Sequence, residues 1–484
     1  MRRVRPVQWP KRVGNAIPRR SFYSKVSKEL FDANVTLFRA GQPLSPDVTV
    51  AVPQMKPFEI FANNDTPLSR VTTYGFDYDF TIATYSENLP RFIYEEGRRY
   101  LVERKGYPPD LSTKKYDPQF PIRGLLYDTR TGYLLKVDQY GKIQSETVHK
   151  GRTQVPTSTV TASYHGLHVT ANYQHEHMRM MNDLFCYPET CLLGDIAQRF
   201  LDKEQDYSPL YLYQDVRAAM DYVHGTGLLY NAIMQRPSEF LDDNPQLAEY
   251  LSLLRKNKKQ TFLLTNSPFQ FVDVGMRWLL RDYLSRENLD TWTGLFDIVI
   301  CSAKKPTFFE RDTNFRRLNP ITGMLSFQAI TEFKRGEVYT EGGLKEFTRL
   351  TGLERLHQTL YMGDHIVSDL VLPSKAGMWK TCAIIKELGH ESEVMGSEEF
   401  RSALRTLLVI SKLIDYGQLL CDEESRRHVE TLKLQRDKCR TKLKDLCNPY
   451  FGSVFRTTSQ RSRFHFEMSA HSDIYTSSVT NFLR

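Results

Sequence analysis

The chain has 484 residues, of which 40% are hydrophobic and 25% charged, values typical of a soluble globular protein. No apolar run approaches the roughly 18 residues that a membrane helix needs, so membrane insertion is not expected. The net charge of +8 comes from residues 1–28, which contain nine Lys/Arg and no acid, and the rest holds 56 basic against 57 acidic residues. This balance argues against a nucleic-acid-binding surface on the body of the protein.

Residues 1–28 form a basic arm that is rich in arginine and carries hydroxyl residues toward its end. The arm lacks the apolar core of a secretory signal, and its composition resembles a mitochondrial transit peptide. We therefore predict mitochondrial import with processing near residues 20–24, and the alternative is a disordered basic tail on a cytoplasmic protein. The seven cysteines are scattered without zinc-binding spacing, which predicts reduced structural thiols.

The next segment predicts an extended lead-in over residues 29–70 and then the first strand of a catalytic core. A β-forming run at 70–74 leads into Gly75-Phe76-Asp77-Tyr78-Asp79-Phe80-Thr81, and a helix is predicted over 87–104. Alternate side chains of an extended chain point the same way, so Asp77 and Asp79 can face one ligand. In an open parallel sheet, ligands bind at the carboxyl ends of the strands.

Two close carboxylates repel each other unless a cation or a shared proton relieves them. The pair formed by Asp77 and Asp79 therefore predicts either a Mg²⁺ site or a nucleophile beside a general acid. By itself the D-x-D pattern is weak, because it also arises by chance in loops and in sugar transferases that hold a metal-bound nucleotide. Its interpretation depends on partners elsewhere in the chain.

Residues 119–207 differ in character from their surroundings and predict an inserted mixed α/β cap. The stretch 124–143 alternates and carries turn signals, which indicates a β-meander. A Ser/Thr-rich piece at 156–163 and a His-rich piece at 165–177 follow. His175 and His177 are candidates for substrate contact, although solvated histidines of a cap would give the same pattern.

The remaining elements predict a Rossmann-like, doubly wound parallel sheet. Helical periodicity over 181–257 is followed by alternating elements: strand 261–265, helix 270–284, strand 296–301, strand 359–363, helix 366–376 and strand 380–385. The predicted domains are the arm 1–28, the lead-in and first core elements 29–118, the cap 119–207, the rest of the core 208–420, and a C-terminal helix and tail 421–484. The helix at 421–447 places apolar residues at a and d positions, so it either packs on the body or forms a short seam between chains.

Three later strand ends supply the partners that a metal-assisted phosphoryl transfer needs. Thr265 and Asn266 close one strand with a hydroxyl and an amide suited to phosphate oxygens, and the alternative is a helix-capping cluster. Lys304 and Lys305 close the next and offer charge neutralisation. Asp364 and Asp369 follow the last, and carboxylate oxygens are the ligands that Mg²⁺ prefers.

The order of these motifs resembles the haloacid dehalogenase-like phosphohydrolase superfamily, in the subgroup with a large cap after the first motif. In detail the chain is similar to the cytosolic purine 5′-nucleotidase family, above all to its 5′-nucleotidase domain-containing branch, over about residues 50–484. The segments that carry the resemblance are 74–85, 125–141, 187–190, 214–217, 264–267, 305–309, 363–369 and 452–456.

The resemblance implies a role for each matching residue. Asp77 matches the nucleophile that forms an aspartyl-phosphate, and Asp79 matches the general acid and base. Thr265 and Asn266 match phosphate-binding positions. Lys305 matches the charge-neutralising lysine, with Lys304 as a less favoured substitute.

The resemblance also implies a Mg²⁺ site. Asp364 matches a direct ligand beside Asp77 and the backbone carbonyl of Asp79, and Asp369 matches the acid that helps to hold the metal and the lysine. His365, between these acids, is interpreted as structural. The stretch 170–181 has no clear counterpart of the nucleotide-binding groups of the purine enzymes, so purine specificity is not expected to carry over.

The sequence thus predicts a Mg²⁺-dependent phosphatase, most like a 5′-nucleotidase, that acts on a small phosphate ester such as a nucleotide. The alternative is a scaffold or binding protein that keeps the phosphatase fold with little turnover. The C-terminal helix and the family resemblance favour a homo-oligomer.

Overall fold

The computed structural model describes residues 27–42, 55–352, 356–420, 422–458 and 460–483. The described residues divide into two compact units, one made of those within 1–53 and 398–442 and the other of those within 54–397 and 443–484. The basic arm predicted over 1–28 lies, except for its last two residues, outside the described residues. Within the described part, no helix combines the length and apolar character that a bilayer crossing requires.

The strands are numbered in chain order. They are β1 (Phe61–Ala62), β2 (Thr73–Phe76), β3 (Leu125–Asp128), β4 (Tyr133–Leu135), β5 (His149–Lys150), β6 (Thr153–Gln154), β7 (Met178–Met181), β8 (Gln260–Leu264), β9 (Ile298–Cys301), β10 (Phe315–Leu318), β11 (Val338–Glu341), β12 (Thr359–Gly363), β13 (Lys380–Ile384) and β14 (Ile474–Thr476).

The α-helices are numbered in the same way. They are α1 (Lys28–Arg39), α2 (Asn88–Lys105), α3 (Thr157–Tyr164), α4 (Ala171–His177), α5 (Cys186–Asp202), α6 (Pro209–Gly225), α7 (Leu228–Gln235), α8 (Pro237–Phe240), α9 (Leu247–Lys256), α10 (Phe269–Leu279), α11 (Arg281–Arg286), α12 (Thr307–Glu310), α13 (Leu344–Thr351), α14 (Leu372–Gly377), α15 (Lys386–Gly396), α16 (Glu398–Gly417), α17 (Glu423–Cys447) and α18 (Arg463–His471).

The larger unit is built on a mostly parallel sheet. In the described residues the strand order is β1-β14-β13-β12-β2-β8-β9-β11-β10, with only the two edge strands, β1 and β10, antiparallel to their neighbours. Every residue of β2 and of β12 is buried, as expected for a parallel sheet covered by helices on both faces. The predicted doubly wound α/β fold is confirmed.

The order of the strands determines where a ligand site can form. From β2 the chain runs to β8 on one side of the sheet and later returns to β12 on the other. The strand order therefore reverses at β2, and the carboxyl ends of β8, β2 and β12 meet around that point. Open α/β sheets bind their ligands at such a switch point.

The predicted cap region contains a separate antiparallel sheet. Its order is β6-β5-β4-β3-β7, and β3 pairs with β4 inside the stretch 124–143 that was predicted to form a β-meander. Its buried side, which includes Leu135 and Val148, packs with the helix α3 residue Val160. The Ser/Thr-rich and His-rich pieces form the helices α3 and α4.

Several sequence predictions are wrong in detail. The lead-in over 29–70 is not wholly extended, because α1 occupies Lys28–Arg39 with a Ser27 cap. The helix predicted at 270–284 breaks at Leu280, whose backbone is not helical (φ −105°, ψ 10°). No helix or strand was predicted in the tail after 448, and the structure adds α18 and β14 there, with β14 paired to β13.

The smaller unit is helical. Phe31 and Val35 of α1 lie one turn apart and share a buried cluster with residues of α16 and α17. That spacing places both side chains on one helix face. Val429 and Leu432, two of the predicted a and d residues of the C-terminal helix, are buried in this same cluster, as the packing alternative requires.

Candidate active site

Three buried aspartates form the centre of the site. Oxygens from Asp77, Asp364 and Asp369 all lie within 4.8 Å of one another. Asp77 follows β2 and Asp364 follows β12, and these strands are adjacent and parallel. The pairing of the strands therefore brings together acids that are almost 300 positions apart in the sequence.

Lys305 is the cation of this cluster. Its Nζ lies 3.0 Å from Asp77 Oδ1 and 2.7 Å from Asp369 Oδ1, and it donates to the Tyr361 hydroxyl at 3.0 Å. Burial by itself would lower the pKa of Lys305, but Asp369 and Asp77 raise it well above its usual value, so the amine stays charged. Lys304 is exposed and pairs with Glu341 at 2.9 Å, so only Lys305 faces the acids.

The end of β8 contributes in two different ways. Asn266 accepts from the Lys305 backbone N–H at 2.6 Å and donates to the Lys305 carbonyl at 2.8 Å. Asn266 therefore fixes the loop that carries the lysine. The Thr265 hydroxyl is buried and accepts from the Ser267 N–H at 3.2 Å, which orders the turn predicted to bind phosphate.

Asp79 has surroundings of its own. One carboxylate oxygen accepts from the Tyr85 hydroxyl at 2.5 Å, and the other accepts from the Ser267 hydroxyl at 2.6 Å. Burial raises the pKa of Asp79, while these hydrogen bonds oppose the rise. The pKa of Tyr85 is raised well above its usual value, first by burial and then by the Asp79 charge, so the phenol remains a donor. The side chain of Asp79 does not belong to the three-aspartate cluster.

The cluster carries more negative charge than its lysine can balance. Burial raises the pKa of Asp77 against the opposing effect of Lys305. Burial, together with the charges of Asp183 and Asp369, raises the pKa of Asp364 well above its usual value. Crowded carboxylates in low dielectric need a further cation or a shared proton, and an oxygen-only donor set suits Mg²⁺. The residues therefore fit a divalent metal held by Asp77, Asp364 and Asp369.

A buried arginine links Asp364 to the helix α15. Arg123 donates from its Nε and Nη2 to Glu387 at 2.6 Å each, and its Nη1 lies 3.9 Å from an Asp364 carboxylate oxygen. Glu387 also accepts from the Tyr187 hydroxyl at 2.9 Å. Sequence reasoning missed this link because Arg123 and Glu387 are 264 positions apart and neither stands in a strand-end motif.

Other site residues also escaped the sequence. The negative charge of Asp183 helps to raise the pKa of Asp79 and of Asp364. In the sequence, only its position just before the segment 187–190 could have marked Asp183 as a site residue. Tyr85 follows the first motif closely, where its hydroxyl can reach back to Asp79.

The histidines take ordinary structural positions. His365 accepts from the Ser368 N–H at 3.2 Å and so caps the π-helical turn Ile366–Val371 that carries Asp369. His177 packs on the Tyr173 ring at 4.9 Å, and His175 lies on the same helix, α4. The contacts of His177, with the Tyr173 ring and the Glu176 carboxylate, involve none of the four aspartates.

A cavity of about 470 Å³ lies beside the site. Its walls include Phe80, Tyr85, Phe185, Lys386 and Glu387. None of the predicted catalytic or phosphate-binding residues lines it, so it is distinct from the carboxylate cluster.

Comparison with known proteins gives consistent matches. Residues 60–484 match the sequence profile described as the 5′ nucleotidase family. A 5′-nucleotidase domain-containing protein of Dictyostelium discoideum is 35% identical over 432 residues, covering 89% of this chain and 73% of the relative. The proteins named 5′-nucleotidase domain-containing protein 2 of Rattus norvegicus and Homo sapiens are 36% and 35% identical over 434 residues, covering 88% of this chain and 77% and 82% of the relatives.

Proposed function

Because the chain belongs to the 5′ nucleotidase family, we propose that it is a Mg²⁺-dependent phosphatase that hydrolyses nucleoside 5′-monophosphates through a phosphorylated Asp77. Family membership makes it a phosphoric monoester hydrolase. The observation that supports the finer proposal is Lys305, buried between Asp77 and Asp369 at hydrogen-bond distance from both. A fixed cation beside a buried carboxylate suits transfer of a dianionic phosphoryl group, since it offsets the charge that gathers there.

The proposed reaction has two displacements. An Asp77 oxygen attacks phosphorus while the bond to the ester oxygen breaks, and Asp79 gives its proton to that leaving oxygen. Water then attacks the phosphorus of the aspartyl-phosphate, Asp79 takes up a proton from the water, and the Asp77 carboxylate is released with inorganic phosphate. Splitting one hard displacement in this way is the usual advantage of a covalent nucleophile.

The other residues bind and orient. Lys305 favours the ionised form of Asp77 and holds its carboxylate in place, and Asn266 fixes the backbone around Lys305. The Thr265 segment would bind the phosphate oxygens. Asp77, Asp364 and Asp369 would hold the Mg²⁺ ion, which when bound would offset phosphate charge as a Lewis acid.

We also propose mitochondrial localisation and a homo-oligomeric state. The acid-free basic composition of residues 1–28 supports import. Fusing residues 1–30 to a fluorescent reporter tests the import, and a reporter that stays in the cytosol would contradict it.

Light scattering of the purified protein tests the homo-oligomeric state, and a monomeric mass would contradict it.

The enzymatic proposal is tested by a phosphate-release screen of the purified chain over nucleoside 5′-monophosphates and other phosphometabolites. Turnover is expected with Mg²⁺, is lost when EDTA removes the metal, and returns when Mg²⁺ is restored. Asp77→Asn should reduce kcat by about a thousandfold or more, because the variant has no nucleophile. A folded wild-type protein without turnover on any ester would favour the scaffold alternative.

Two neighbouring lysines give a matched control. Lys305→Met removes the buried cation and should abolish turnover, whereas Lys304→Met removes an exposed lysine paired with Glu341 and should leave turnover unchanged. Equal losses in the two variants would contradict the assignment of Lys305.

A further inference from the structure

Tyr85 is fixed against Asp79 from several directions. Its hydroxyl donates to Asp79 Oδ1 at 2.5 Å, and the side chain is buried. Its ring packs edge-on against Phe80 at 4.9 Å and lies 6.5 Å from Phe185. Its backbone forms a β-bridge with Leu241 and its carbonyl accepts from Lys386 Nζ at 2.5 Å. A phenol held at both the ring and the backbone cannot turn away from its acceptor.

Ser267, the second hydrogen-bond donor to Asp79, can turn its hydroxyl to another acceptor. The Ser267 hydroxyl donates to Asp79 Oδ2 at 2.6 Å, and rotation about one bond redirects a serine hydroxyl. Ser267 follows Thr265 and Asn266 on the segment proposed to bind phosphate, so an incoming phosphate offers it a charged acceptor. The two oxygens of Asp79 therefore differ, because one is held rigidly and the other is held by a hydroxyl that can leave.

We propose that Tyr85 is a positioning residue for Asp79. It holds Oδ1 so that Oδ2 faces the ester oxygen once the Ser267 hydroxyl turns to the phosphate. In this arrangement Oδ2 carries the carboxyl proton of Asp79. As the P–O bond breaks, its electron pair stays on the ester oxygen, which takes that proton and leaves as the alcohol, and Asp79 becomes a carboxylate. This inference rests on the proposed function, and it assigns to Tyr85 the task of orienting the Asp79 carboxyl group for proton transfer.

If Tyr85 orients Asp79 for proton transfer, the loss of kcat/KM on removing its hydroxyl depends on the leaving group of the ester. An ester whose alcohol is a weak acid needs the proton as the bond breaks, whereas p-nitrophenolate leaves without it. The parameter kcat/KM covers the steps up to departure of the alcohol, so it isolates this proton transfer from the later hydrolysis of the aspartyl-phosphate. A residue that only supports the fold would affect both kinds of ester equally.

The test compares kcat/KM of the full-length Mg²⁺-loaded protein for phenyl phosphate and p-nitrophenyl phosphate, two esters of similar shape. Tyr85→Phe should lower kcat/KM by about tenfold to a hundredfold for phenyl phosphate and by less than about threefold for p-nitrophenyl phosphate. Tyr78→Phe is the matched control, because Tyr78 is buried in the same loop and its hydroxyl has no hydrogen-bond partner among the described residues. It should leave the ratio of the two kcat/KM values at the wild-type level.

A second variant tests the difference between the two oxygens. Ser267→Ala removes the other hydrogen bond to Asp79 and should raise KM for both esters without changing their kcat/KM ratio. Three results would overturn the inference while wild-type turnover persists. They are equal losses of kcat/KM for both esters in Tyr85→Phe, no loss for phenyl phosphate in that variant, and a ratio change of the same size in Ser267→Ala. A wild-type protein that hydrolyses neither these two esters nor any nucleoside 5′-monophosphate would overturn the proposed function and this inference with it.

Discussion

Replacing Arg123 with methionine removes one partner of a buried ion pair and leaves the other in place. The arginine makes two hydrogen bonds of 2.6 Å to Glu387 and lies over the Phe464 ring at 4.9 Å. In the variant Glu387 retains the Tyr187 hydroxyl at 2.9 Å, but no other ion-pair partner for it exists in the part of the chain that the structure describes. Methionine fills much of the space of the arginine side chain, so the cost comes mainly from the unpaired carboxylate. We expect a loss of roughly 3–5 kcal/mol in the free energy of unfolding.

Guanidinium denaturation at neutral pH measures this loss, and its pH dependence tests the cause. Burial by itself would raise the pKa of Glu387, but Arg123 holds it below its usual value. The stabilisation from a carboxylate with a lowered pKa is complete above the usual pKa and is lost as the pH falls through the lowered one. The difference between wild type and Arg123→Met should therefore shrink below roughly pH 4.

Two further variants test whether the unpaired charge of Glu387 causes the loss of stability. Adding Glu387→Gln to Arg123→Met removes the unpaired charge and should restore part of the lost stability. Arg236→Met breaks a half-exposed pair with Glu239 at 2.8 Å and should cost less than about 1 kcal/mol. Two results would contradict the assignment of the stability loss to an unpaired Glu387. One is a stability loss in Arg123→Met no greater than that in Arg236→Met, and the other is a double variant no more stable than Arg123→Met.

Two other predictions concern a close contact and a buried histidine. A Cβ added at Gly363 would lie 2.3 Å from Asp369 Cβ, so Gly363→Ala should displace Asp369 from Lys305 and lower kcat/KM about a hundredfold or more with an unchanged circular dichroism spectrum; near-normal kinetics would contradict this. Burial lowers the pKa of His465 to about 4, so stability should be full above about pH 6.5 and fall toward pH 4 by up to about 1.4 kcal/mol per pH unit. His465→Gln should flatten this slope in thermal unfolding, and equal slopes in the two proteins would count against it.

The local signals in the sequence identified most of the site. Asp77, Asp364 and Asp369 each follow a buried strand, and the parallel pairing of β2 with β12 brings the strand ends together. The fold class was predictable for the same reason, since buried parallel strands alternating with helices leave a readable pattern. The cap boundaries, the transit peptide and the roles of the residues stay predictions.

Elements with weak local patterns could not be predicted in this way. The strand β14 has three residues and lies in a tail without periodicity, and it is placed by its pairing with β13 rather than by its own propensity. The helix α1 was missed because prolines further along the lead-in suggested extended chain, although Ser27 caps it and Phe31 and Val35 are buried.

The sequence by itself determined the parallel α/β fold class, the order of the motifs and the acids that follow the central strands, because these depend on short-range patterns of burial and on strand polarity. Only the tertiary structure decided which of two adjacent lysines faces Asp77 and which residues hold Asp79 and Asp364. Lys304 and Lys305 are chemically identical, and they differ only in that one reaches Glu341 at the surface and the other reaches the buried acids. Arg123 and Tyr85 act through contacts that only the folded chain forms, so neither residue stood out in the sequence as part of the site.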